Sequence, residues 1–319
     1  MKKGFSAFLK RKNIVISVKR YLIDALGAMA QGLFASLLIG TILNTLGTLS
    51  RISWLAEVGK YASAMSGPAM AAAIGYALQA PPLVLFSLVT VGYAANTLGG
   101  AGGPLAVLFI AIIAAEFGKA VSKETKVDIL ATPLVTILIG VGLSAVLAPW
   151  LGRLASSLGN IIMWATELQP FLMGIVVSVV VGIALTLPIS SAAICAALGL
   201  VGLAGGAAVA GCCAQMVGFA VMSFKENRWG GLVSQGIGTS MLQMGNIVRN
   251  PKIWIAPILT SAITGPLATC VFHCAWMEQL FPAVWAPAVW LDRLASLPGG
   301  SMTLLPGQRQ RLQGSTGSD

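Results

Sequence analysis

From Leu22 to His273 the sequence is a succession of apolar runs, many of them close to the length at which a helix crosses a bilayer. That repetition decides the solvent. A helix needs about 20 mainly apolar residues to cross the hydrocarbon core, where its backbone polar groups must be satisfied internally. Only 9% of the 319 residues are charged, against about a quarter in an ordinary soluble domain. The chain therefore reads as an all-α integral membrane protein. Charged and Gly/Pro punctuation gives expected spans near 22–46, 63–79, 82–99, 104–121 and 129–150. A second set follows a polar-flanked stretch from Arg153 to Glu167, near 170–188, 190–211, 212–224, 231–247 and 253–273.

The bases collect between these runs, and Lys2, Lys3, Lys10, Arg11, Lys12, Lys19 and Arg20 all precede the first span. The positive-inside rule then predicts a cytoplasmic N-terminus. Ile14, Val15 and Ile16 sit in a basic stretch before a full-length span, so no cleaved signal peptide is expected. Residues 1–21 read instead as a basic interfacial segment, with a helix from Phe5 to Tyr21 on the cytoplasmic leaflet. The net charge of +10 is thus directed at membrane lipid headgroups, and no nucleic-acid partner is expected.

Cys195, Cys212, Cys213, Cys270 and Cys274 lie in or beside apolar segments with no CxxC spacing, and His273 is the single histidine. Convergent metal ligands are missing, so no metal and no cofactor are expected. The thiols read as small buried apolar groups.

Gly32, Ser36, Gly40 and Leu43 in the first span recur, at a constant offset of 142 residues, as Gly174, Ser178, Gly182 and Leu185. Small residues at every fourth position make a close-packing helix face, which two helices can acquire independently. Duplication is the other reading. The same offset brings the Gly/Ala-rich second span onto Ala204 to Gly211, and the glycine break after Asn96 near Gly238 to Asn246. With five spans per repeat the halves must be inverted relative to one another, with a site between them at the bilayer midplane. The expected organisation is a first membrane repeat over 22–150, a connecting amphipathic segment over 151–169 and a second repeat over 170–274. About ten spans and broken helices are expected, or nine in this chain, with an atypical tail at 275–319.

Three stretches interrupt the apolar runs at membrane depth: Asn96 to Pro104, Leu187 to Ser191, and Ser234 to Ser240 running on to Asn246. Irregular backbone survives there only where protein buries it or a wet cavity satisfies it. Around these breaks stand Asn96, Ser190, Ser191, Gln235, Thr239, Gln243 and Asn246, which form the candidate substrate site. Neutral amides and hydroxyls supply donors and acceptors without a charge to desolvate, as a carbohydrate requires. Hydrogen bonding that glues helices together is the competing reading. Glu116 and Lys119, three apart on one helix, read as a local ion pair at an interface. Asp24, which follows Lys19 and Arg20, reads as an interfacial anchor. No nucleophile with a neighbouring base, paired carboxylates or P-loop is present, so no catalytic residue is assigned.

The run from Gln235 through Gln243, Asn246 to Trp254 and Thr264-Gly265-Pro266, together with Leu187 to Ala193, resembles the phosphotransferase-system IIC-like membrane proteins that include the perfringolysin-regulator-like group. The similarity covers roughly Leu22 to His273. It implies a sugar-permease subunit of the bacterial cytoplasmic (inner) membrane, a carbohydrate ligand, cytoplasmic IIA and IIB phosphorelay partners, and a homodimer. A non-transporting membrane regulator or sensor with the same fold is the alternative it allows. After His273 the family pattern implies a further Gly-rich segment resembling G-M-G-T-S-G-L-V-G-Q. Val284 to Arg293 read one base earlier permits Met-Gly-Thr-Ser-Gly-Leu-Val-Gly-Gln, so the tail reads as an out-of-frame translation of that segment, and the chain would lack its tenth span.

Overall fold

The computed structural model describes residues 2–191, 194–195, 198, 200 and 202–274. The expectation of a poorly packed tail from Trp276 onward lies outside the described residues. Those described are all helix, turn or irregular chain, with no strand among them. The helices are α1 (Lys2–Arg11), α2 (Lys19–Leu49), α3 (Ser53–Ala64), α4 (Ser66–Ala77), α5 (Pro82–Gly99), α6 (Gly103–Val121), α7 (Asp128–Thr166), α8 (Pro170–Thr186), α9 (Gly202–Met222), α10 (Phe224–Val233), α11 (Met244–Arg249) and α12 (Ile255–Pro266). Five helical stretches among the described residues are long and apolar enough to cross a membrane: α2, the α5–α6 stretch Pro82–Val121, α7, α9 and Pro251–Val271, with α8 a shorter apolar helix.

Glycines set how these helices meet. In lipid the surroundings are as apolar as leucine, so helices associate through close van der Waals contact where small residues let backbones approach. A Cβ on Gly32 would lie 2.6 Å from the Ala69 carbonyl oxygen, which seats α2 on α4, and one on Gly40 would strike Ser63 and Gly59 of α3. The second half repeats the device. A Cβ on Gly174 would meet Gly265 and Pro266 of α12, and one on Gly182 would meet Gly211 of α9. The outward faces are apolar: Leu134, Leu138 and Val146 on α7, and Leu259 and Ile263 on α12, are all exposed.

Two buried clusters result. Met29, Met70, Ile74, Leu88, Val91 and Ile110 anchor one within the first half, joined by Phe219, Met241 and Ile247 from the later chain. Ile162 and Ala165 of α7 join Met173, Val177, Val181 and Ala207 in the other. α7 belongs to both neighbourhoods, because its 39 residues continue through the boundary expected at 150. Pro149 does not end it, and the segment expected as a connector over 151–169 is largely the last turns of the same helix. Of the spans expected near 190–211 and 212–224, the structure describes one helix, α9, which runs unbroken through the boundary expected at 211. The expected interfacial helix to Tyr21 is shorter: α1 stops at Arg11, and Asn13 takes a left-handed conformation (φ 54°).

The N-terminal segment and the loop between α6 and α7 are in contact, so they share one side of the bundle. The Arg11 guanidinium lies 2.7 Å from Glu124, and the Lys12 ammonium binds Glu124 and the Ser122 carbonyl. Glu116 and Lys119 form the expected ion pair at 2.8 Å, with Lys119 fully buried.

Candidate substrate site

Each break has a local cause. α5 ends at Gly99 because Gly100 adopts φ 50°, ψ −120°, a conformation open in practice to glycine. A tight turn over Gly100–Gly102 follows, and α6 restarts at Gly103 with Pro104 in its first turn, where a missing N–H costs nothing. α8 ends at Thr186 because Pro188 clashes with a helical predecessor, and Leu187 is extended (φ −71°, ψ 158°). The third break opens with a wide turn over Ser234–Gly238 and passes through Thr239 in fully extended form (φ −156°, ψ 141°). The Thr239 hydroxyl accepts from the Met241 N–H at 3.2 Å and so caps the next turn.

The three breaks converge. The Ser190 N–H donates to the Ala101 carbonyl at 2.8 Å. The Ser240 and Thr186 hydroxyls are 2.8 Å apart. Gly238 sits against the Phe34 ring in the wide turn of α2 over Phe34–Leu38, and a Cβ there would lie 2.7 Å from the ring edge. A wide turn inside a helix is a frequent companion of functional sites.

Between them lies a small cavity of about 90 Å3, below the roughly 300–1,000 Å3 usual for small-molecule sites. Ser190, Ser191, Thr239 and Thr41 supply its hydroxyls, and Leu33, Leu37 and Leu185 are among its apolar walls. No charged side chain among the described residues lines it. The Ser191 hydroxyl is buried there without a hydrogen-bond partner among the described residues. An orphaned buried hydroxyl costs about 1–3 kcal/mol, which a bound hydroxyl or carbonyl would recover.

Of the seven candidate residues the structure brings Ser190, Ser191 and Thr239 to this cavity. Gln235, Gln243 and Asn246 are bonded to one another instead. Asn246 Nδ2 donates to Gln243 Oε1 at 2.7 Å, and Gln243 Nε2 donates to Gln235 Oε1 at 3.0 Å. Gln235 in turn bonds the Ser223 hydroxyl at 3.0 Å. Asn246 opens onto a separate groove shared with Asp24, Gln31 and Arg249. Asn96 donates to the Ser66 hydroxyl at 3.4 Å and packs on Gly67 and Gly103, a helix-packing role.

Sequence reasoning left one residue out of the site that supports it. Gln215, fully buried on α9, accepts from the Trp254 indole at 3.2 Å and from the Thr186 hydroxyl at 3.3 Å, and donates to Ser261 at 3.4 Å. It binds the ends of α8 and α12 beside the third break. Its signal was a lone amide within a Gly/Ala-rich span.

A family model described as the phosphotransferase system EIIC matches residues 23–278. Neither the curated proteins nor the solved structures gave a match.

Proposed function

Because this chain belongs to the phosphotransferase-system EIIC family, we propose that it is the multi-pass permease subunit that carries a carbohydrate across the bacterial cytoplasmic membrane. Its cytoplasmic IIA and IIB partners perform the phosphoryl transfer. The observation that carries the site is the buried, unpartnered Ser191 hydroxyl facing a cavity bounded by three chain breaks. A lining of hydroxyls among leucines suits an uncharged sugar, whose ring offers both hydroxyls and an apolar face. An ionised substrate would find no counter-charge there among the described residues.

Purified protein would be heated with a panel of neutral sugars, and Ser191→Ala compared with the parent. A sugar that stabilises the parent and not the variant supports the site. Equal stabilisation of both moves the site elsewhere.

The inverted repeat belongs to the same proposal. It is supported by the Gly32/Gly40 and Gly174/Gly182 stripes, each of which is the close-approach face of the first span of its half. Cysteine labelling in intact cells tests it, since α2 must begin at the cytoplasmic face and α8 at the opposite one. Labelling of both starts from the same side excludes inversion. The out-of-frame reading of 275–319 is tested on the gene, where a single-base change near the His273 codon must restore the Gly-rich segment. The proposed assembly is a homodimer.

A non-transporting sensor with the same fold is favoured by one observation: among the described residues no amide and no aromatic side chain lines the cavity. Binding of a sugar without uptake in cells that contain IIA and IIB would select that reading.

A further inference from the structure

The ends of α1, α4 and α6 meet at a second cavity of about 420 Å3, lined by Arg11, Lys12, Asn13, Gln79, Lys119 and Lys123 with Pro81, Ser122 and Glu124. We propose that it binds the phosphate of an anionic lipid headgroup.

The first ground is charge. Four cations face one carboxylate in the lining, and with Glu116, the partner of Lys119, and Asp128, which accepts from the Lys123 backbone N–H, both counted, the cup still keeps an excess of positive charge. The second is construction. Asn13, Gln79 and Lys123 all hold left-handed backbone, with φ of 54°, 55° and 61°, so three chain reversals come together at one place. The carbonyls left over at those helix ends are met by cations, as expected at the negative end of a helix. Lys119 donates to the Asn13 and Leu78 carbonyls at 3.1 and 3.2 Å, and Arg20 donates to Leu78 at 2.6 Å. These bonds fix the floor and leave the rim for a ligand.

The third ground is the internal oxyanion already present. The Glu124 carboxylate is gripped by Arg11 and Lys12 together, which is the two-cation arrangement a phosphate diester would use. The Arg11 side chain is 64% exposed and Glu124 39%, so the grip is open to exchange. Lys123 stands beside it with no ion-pair partner among the described residues. Finally, Val15, Ile16 and Val18, directly after the cup in the chain, are exposed and apolar. Acyl chains beside these residues and a phosphate in the cup would satisfy both surfaces at once, which a soluble phosphate would not.

The test uses the full chain in nanodiscs of phosphatidylcholine alone and of phosphatidylcholine mixed with phosphatidylglycerol. Thermal stability and lipid retained in native mass spectra are the readouts. Phosphatidylglycerol should stabilise the parent and be retained. Arg11→Gln with Lys123→Gln should lower retention about fivefold per cation removed. Glu124→Gln removes the competing carboxylate and should raise retention, a gain that damage to the fold would not produce. Equal retention by the double variant and the parent overturns the proposal, as does weaker retention by Glu124→Gln. Equal protection by inorganic phosphate or by a soluble phosphopeptide overturns the lipid assignment in favour of a soluble phosphate group.

Discussion

The Ser190 N–H and the Ala101 carbonyl, 89 positions apart in the numbering, are joined by a hydrogen bond of 2.8 Å. Both belong to stretches where a helix has been interrupted among apolar neighbours. A backbone group stranded there would cost several kcal/mol. Each break supplies the partner that the other lacks, so the two interruptions are stable only as a pair.

Ser191→Ala separates binding from folding. The hydroxyl has no partner among the described residues, so its removal should leave the thermal stability of the unliganded protein unchanged or slightly raised. Affinity for a stabilising sugar should fall by about 1–3 kcal/mol, read by titration calorimetry. Lower stability with unchanged affinity would assign the hydroxyl to packing.

Gln215→Leu should do the reverse. Trp254, Thr186 and Ser261 all bond its amide, and each buried group orphaned costs about 1–3 kcal/mol. Thermal unfolding in one detergent should show a large loss, because the network ties α8, α9 and α12 to the third break. A loss below about 1 kcal/mol would mean that these groups find other partners.

Gly211→Val tests the helix interface itself. A Cβ at Gly211 would sit 1.9 Å from the Ser178 carbonyl oxygen, whereas Gly142 has nothing within 4 Å. Gly211→Val should abolish the monodisperse peak in size-exclusion chromatography, and Gly142→Ala should elute like the parent. Survival of both would show that α8 and α9 can part without unfolding.

Acid should loosen the N-terminal segment. The hydrogen bond from Lys12, and the charge of Arg11 and Lys12, hold the Glu124 carboxyl below the usual carboxylate range. A carboxylate lowered in the fold contributes stability that is complete above its ordinary pKa of about 4.3 and is lost as pH falls through the lowered value. Protease cleavage within residues 1–21 should therefore stay constant from neutral pH down to about 5 and rise only below about 4. A rise already near neutral pH would point to another group.

What the sequence made legible was mostly covalent in origin. Gly100 and Pro188 mark two of the breaks because their conformational properties act through the chain itself, and the basic residues before Leu22 mark a helix at the N-terminus. Partner choice was not legible. Gln235, Gln243 and Asn246 at helical spacing read equally as a ligand face or as an internal chain, and only their separations of 3.0 and 2.7 Å show that they are bonded to one another. The leucines around Ser191 resemble any other membrane leucines, since facing a cavity and facing lipid demand the same residue. The second half was harder to divide than the first because Gly/Ala-rich sequence carries little periodic signal.

α7 has a mechanical consequence. At 1.5 Å per residue its 39 residues reach about 58 Å, nearly twice the hydrocarbon thickness. One end packs on the α5–α6 hairpin, where Gly140 meets Val91, and the other carries Ile162 and Ala165 into the core of the second half. It is a beam fixed to both bodies. Pro149 and Gly152 lie between those attachments, where the ladder of backbone hydrogen bonds is weakest. A rocking of one half against the other would bend that joint, and its stiffness would set the load for such a motion.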